Sequence, residues 1–190
     1  MIKHRQEGYI SIVCLIIGMS VIALTLSVMT LYMNDFHIQR SSANRIRAQY
    51  LAESGMDMTM HQLNLWAEEA IEDLLSMTED EKPFPFQSNA FLEENIINRL
   101  YIINQYEHTA MSQLYPEYKQ DHGIYVSVKP SANRKTLKIR VQGYYANARI
   151  YLEGIVLMPR IETDIAEDGT ENVRIRNLYL QSLLQGYPEV

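Results

Sequence analysis

The chain has 190 residues, a formal net charge of -6 and a single cysteine, Cys14. That length holds a long helix and one small domain, and excludes two sizeable domains. The acidic balance argues against nucleic-acid binding, which usually shows a strongly basic face, and one cysteine excludes an internal disulfide.

A short leader, residues 1–8, carries Lys3, His4 and Arg5 and ends at Gly8. The 25 residues from Tyr9 to Met33 then contain no charge. An apolar run of about 18 residues or more is long enough to cross a bilayer as a helix. A removable secretory signal has a shorter apolar core and a small-residue cleavage site, whereas Tyr32-Met33-Asn34-Asp35 offers none. Residues 9–33 are therefore expected to be a retained, single-pass transmembrane segment. Lys3, His4 and Arg5 favour a cytoplasmic N-terminus, opposed by Arg40, Arg45 and Arg47 on the other side. The brevity of the leader tips the expectation to N-terminus in, C-terminal domain extracytoplasmic. Gly18, Ser20, Ala23, Thr25 and Ser27 allow close helix–helix approach, but a simple lipid anchor has the same composition.

Helical character is expected to continue over 34–78. Met56, Met60, Leu63, Ala67, Ala70, Leu74 and Met77 recur in steps of four and three, which places them on one helical face. Trp66, Ile71 and Leu75 widen that face, and Glu68, Glu69, Glu72 and Asp73 occupy the other side. The face packs either on the domain core or against a neighbouring helix. A helix over 9–77 would be about 100 Å long, so a break is expected at Gly55 or Asn64. Pro83-Phe84-Pro85 predicts extended backbone. A second helix is expected from Ser88 to Leu114, capped by Ser88 or Asn89 and stopped by Pro116.

Beyond it the period changes to two. Ile124, Val126 and Val128 alternate with Tyr125, Ser127 and Lys129, and Leu137, Ile139 and Val141 with Lys138, Arg140 and Gln142. Ala148, Ile150 and Leu152 continue the pattern to Val156 and Met158, each set reading as a half-buried strand. Ser131-Ala132-Asn133-Arg134 and Gly143 or Asn147 are expected turns, and Asp168-Gly169 is a hairpin signal leading into Asn172 to Leu180. Tyr179 to Leu184 fits a strand or a turn of helix. The fold class is α+β: a long N-terminal helix, a second helix and a small antiparallel β-sheet, the last two forming a domain over 79–190.

No catalytic, cofactor or metal constellation is legible. His4, His37, His61 and His108 are scattered, and His122 before Gly123 reads as a turn residue. The glutamates of 68–73 read as a solvated helix face rather than an acid–base pair. Asp164, Glu167 and Asp168 lack the spacing of a calcium loop. Tyr101, Tyr106, Tyr115, Tyr118, Tyr125, Tyr144, Tyr145 and Tyr151 read as strand and core packing by default, with an adhesive surface as the second reading.

The leader ending in Gly8, the apolar helix opened by Tyr9, and the stretch Ala48-Gln49-Tyr50-Leu51-Ala52-Glu53-Ser54-Gly55-Met56 together resemble the PilX-type minor pilins of the type IV pilin superfamily. The last stretch is similar to that family's A-x-x-x-A-E-A-G-hydrophobic signature through Ala48, Ala52, Glu53 and Gly55, with Ser54 in place of the second alanine. The likeness covers residues 1–63. It implies cleavage by a prepilin peptidase between Gly8 and Tyr9, methylation, and partners among other pilin subunits, the pilus assembly machinery and membrane lipid. It also implies no cofactor and no enzymatic activity. Major pilins carry Glu at the fifth mature position, where this chain has Val13, which argues against a major pilin. The expected function is a minor pilin or pseudopilin at the cell surface. The alternative is a single-pass, membrane-anchored extracytoplasmic interaction protein outside any filament.

Overall fold

The computed structural model describes residues 3–77, 85–104, 116–165 and 171–186. Its contacts divide the chain into two compact units, Met1–Ala43 and Asn44–Val190. Among the described residues the elements are helices α1 (Lys3–Ser76) and α2 (Pro85–Asn104), then strands β1 (His122–Pro130), β2 (Thr136–Tyr145), β3 (Ala148–Leu157), β4 (Arg160–Ile165), β5 (Glu171–Arg176) and β6 (Tyr179–Gly186). The chain is thus α+β: a long, apolar N-terminal helix, a second helix and a small antiparallel sheet.

The break expected at Gly55 or Asn64 does not occur, because α1 stays helical through both. Glycine in a helix interior costs about 1 kcal/mol relative to alanine, and packing offsets this at Gly55. A Cβ there would stand 2.5 Å from Ile124 Cγ2 and 2.8 Å from Val141 Cγ1. The missing side chain is what lets the sheet approach. Thr59 Oγ1 also donates to the Gly55 carbonyl at 2.7 Å.

In the second unit the Met56-to-Met77 stripe packs on the domain core. Met56, Leu63, Trp66 and Ala67 join one buried cluster with Ile96, Leu100, Ile124, Val128, Ile139 and Val141. Ala70, Leu74 and Leu92 form a second. Leu75, expected to widen the buried face, is 59% exposed. Glu68, Glu72 and Asp73 are exposed, and Glu69 pairs with Arg99 across to α2.

α2 begins at Pro85, not at Ser88. Proline is tolerated in the first helical turn, where its missing N–H would have no partner, so Pro85 opens the helix instead of extending the chain. Ser88 and Asn89 then lie inside it and are not caps. Asn89 bridges to β4, with Ile161 N–H donating to Oδ1 at 2.7 Å and Nδ2 donating to the Ile161 carbonyl at 3.2 Å. Asn104, at the other end of α2, does the same to β1. Val128 N–H donates to its Oδ1 at 2.8 Å, and its Nδ2 donates to the Val128 carbonyl at 3.1 Å. The expected continuation of α2 to Leu114 lies outside the described residues.

The main sheet has the order β1-β2-β3-β6, all neighbours antiparallel, and β4 pairs with β5 in a separate two-stranded sheet. Leu137, Ile139, Val141, Gly143 and Tyr145 of β2 point to the core. The β1–β2 turn falls at Ser131–Arg134 as expected, with Arg134 N–H donating to the Ser131 carbonyl at 3.0 Å. Of the two alternatives for the next turn, Asn147 forms it together with Ala146, and Gly143 does not. Gly143 sits within β2, and Ala146 takes the left-handed conformation at φ 51°. The hairpin signal at Asp168-Gly169, with Glu167, lies outside the described residues. Tyr179 to Leu184 is strand, and β6 returns past the β4–β5 hairpin to pair with β3, with a register shift at Ile155/Val156.

On the face of the sheet away from the core, Glu153 accepts from Arg140 Nε at 2.9 Å and pairs with Lys138 Nζ at 3.1 Å. The hydrogen bonds from Arg140 and then Lys138 hold its carboxyl below the usual carboxylate range. A lowered carboxylate pKa stabilises the fold above the unfolded-state value, and the contribution is lost as pH falls through the folded-state value. Glu153→Gln is therefore expected to lose less stability than the parent protein on acidification from about pH 5 to about pH 3, read as melting temperature against pH. Equal slopes in the two proteins would contradict this.

Candidate functional site

The two residue groups singled out in the sequence fall in different units. Gly8 and Tyr9 are in the first, within the helical span of α1, with Tyr9 exposed. From Ile10 to Met33 nearly every side chain is exposed, and none of the most apolar window is buried. By length and composition this helix can cross a membrane. Four of its hydroxyls bond back to the helix itself. Ser20, Thr25, Ser27 and Thr30 donate to the carbonyls of Ile16, Val21, Ala23 and Leu26 at 2.8 to 2.9 Å. Each hydroxyl proton is thereby satisfied within the helix, which lowers the cost of placing it in lipid. Val13 contributes a further apolar side chain, partly exposed.

Ala48, Ala52 and Gly55 are in the second unit, all buried. Spacings of four and three put them on one face of α1, and that face lies on the sheet. Opposite Ala48 and Ala52 is Gly143. A Cβ on Gly143 would fall inside the van der Waals shells of the Ala48 carbonyl oxygen and the Ala52 nitrogen, and 2.9 Å from the Ala52 Cα. Helix backbone thus rests on strand backbone with no side chain between them. Glu53 is on the flank of this contact, half-buried, accepting from Gln49 Nε2 at 2.8 Å. The structure therefore gathers the three small residues of the motif into one docking surface and leaves Glu53 beside it.

Sequence reasoning missed Gly143 as the partner of that surface, and also an aromatic cluster next to it. Arg47 Nη1 donates to the Tyr145 hydroxyl at 3.2 Å, and its guanidinium carbon stands 5.0 Å from the Tyr145 ring centre. Tyr118 packs edge-on against Tyr145 and His122, at 5.2 and 5.1 Å. His122, read as a turn residue, is buried as the first residue of β1. Its Nδ1 is 2.7 Å from the Gln120 carbonyl and must carry the proton there, because a carbonyl only accepts. Among the described residues its Nε2 has no hydrogen-bond partner. The only signal in the sequence was parity: His122 precedes Ile124 by two.

Among the described residues no group of three His, Cys, Asp or Glu could hold a metal ion. The arrangement of Ala48, Ala52, Gly55 and Gly143 is mechanical rather than reactive. It locks a helix to a sheet by close backbone approach.

Comparison with family models, with curated proteins and with solved structures finds no match to this chain.

Proposed function

We propose that the chain is a minor pilin or pseudopilin, a non-enzymatic subunit of a type IV pilus or a related filament. In this reading residues 1–8 are removed by a prepilin peptidase. Tyr9 to Met33 holds the subunit in the membrane and then among the helices of other subunits, and the second unit stands outside the cytoplasm. The observation that supports the reading is the contrast between the two parts of α1. Its first part exposes a charge-free, largely apolar surface from Tyr9 to Met33, and its later part presents Ala48, Ala52 and Gly55 to a sheet. An exposed apolar helix surface of this length is stabilised by lipid or by other helices around it.

Expression with a prepilin peptidase should give a mature protein whose intact mass lacks residues 1–8. Gly8→Ala should retain them in essentially all molecules. A parent protein that keeps Met1 in the presence of active peptidase would overturn the proposal.

Val13 favours a second reading, a single-pass anchored interaction protein outside any filament, because it gives a neighbouring subunit no carboxylate to pair with. That reading predicts an uncleaved leader and no co-purification with pilus subunits.

A further inference from the structure

The second unit carries a concavity on the sheet face away from its core, and three tyrosines line it. The register places Tyr125, Gln142 and Tyr151 side by side across β1, β2 and β3, and Tyr144 opposite Arg149 in the adjacent row. The Tyr125 and Tyr144 rings are 5.8 Å apart, inclined at 33°. With Asp121 at its rim the hollow measures about 410 Å³, within the range of small-molecule sites. Tyr125, Asp121 and Arg149 are exposed, and Gln142, Tyr144 and Tyr151 are half-buried.

We propose that this hollow binds a neutral oligosaccharide. Phenol rings offer flat apolar faces with a polar edge, which suit the C–H face of a pyranose ring. Its hydroxyls each donate and accept, and the polar lining supplies both needs: Asp121 only accepts, Arg149 only donates and Gln142 does both. The one carboxylate and one guanidinium balance in charge. An anionic ligand would meet Asp121 and a cationic one Arg149, whereas an uncharged polyol uses both groups. Burial, and then Asp121, raise the Tyr144 pKa against the opposing effect of Arg149. The neighbouring hollow of Ser127, Lys129, Lys138 and Arg140 is smaller, about 80 Å³, and Glu153 already engages two of its cations.

The test uses the full chain in phospholipid nanodiscs, because sugar-based detergents would compete. The protein is applied to an array of neutral and acidic glycans, and then titrated calorimetrically with chitotriose, lactose and maltotriose. Neutral glycans should be retained, and at least one of the three soluble probes should bind. Tyr125→Ala and Tyr151→Ala should each weaken that binding tenfold or more with unchanged far-ultraviolet circular dichroism. Tyr101→Ala, an exposed tyrosine on α2, should leave it unchanged. Retention of no neutral glycan, retention of acidic glycans alone, binding by none of the three probes, or affinity unaffected by both hollow variants would overturn the proposal. It does not depend on cleavage at Gly8, so its failure and that of the filament reading are separable.

Discussion

Gly143→Val is expected to destabilise the second unit strongly. Overpacking a well-filled core typically costs about 1–3 kcal/mol, because side chains shift to make room. Here the added atoms meet the Ala48 carbonyl, the Ala52 nitrogen and the Ala52 Cα. These are backbone atoms of α1, which cannot rotate away as a side chain does. The cost should reach about 3 kcal/mol or more, the top of that range, against a total stability of about 5–15 kcal/mol for an ordinary domain. Melting should fall by roughly 6 °C or more, followed by Trp66 fluorescence, since Trp66 lies in the same core. Two other glycines calibrate the result. At Gly154 a Cβ would meet Leu180 Cδ1 at 3.1 Å and Met56 Cε at 3.3 Å, both ends of flexible side chains. Gly154→Ala should cost about 1 kcal/mol or less. At Gly18 nothing stands within 4 Å, so Gly18→Ala should leave this unit unchanged. If Gly143→Val melts like the parent, the backbone contact between α1 and β2 is wrong.

The second large effect is expected at Asn104. β1 is an edge of the main sheet, and the Asn104 carboxamide occupies both the N–H and the carbonyl of Val128. Asn104→Leu preserves bulk but strands two backbone groups that are partly buried. Each such group costs about 1–3 kcal/mol when fully dry, and some water reaches this one, so about 2 kcal/mol in total is expected. The Val128 amide should exchange with solvent many times faster. Asn104→Asp separates the two bonds. It can still accept from Val128 N–H, but when ionised it sets a carboxylate against the Val128 carbonyl. On acidification it regains a proton to donate and should recover part of the loss relative to the parent at the same pH. Unchanged protection of the Val128 amide in both variants would refute the clamp.

The sequence disclosed those parts of the fold whose signal repeats. Seven residues from Met56 to Met77 fix a helical face by recurrence, and the alternation from Ile124 to Met158 fixes three strands and their inward sides. Single residues were read less well, because the same residue serves opposite ends. Gly143 resembles a turn glycine until its parity is noticed: it continues the inward series of Leu137, Ile139 and Val141. Pro85 resembles a breaker but opens a helix. Asn89 resembles a cap, and its partner Ile161 lies 72 residues away. The motif residues Ala48, Ala52 and Gly55 were visible as a pattern, but the surface that they meet was not. The tyrosine hollow depends on registers among three strands, which a linear pattern does not contain.

The strand order also has a consequence for biosynthesis. β3 acquires its second neighbour only from β6, the last of the described strands to be made. Until residues 179–186 have left the ribosome and docked, β3 is an open edge, the kind that recruits other chains. Completion of the main sheet thus waits on β6, the last of the described strands, and a product ending between β5 and β6 should aggregate rather than fold short.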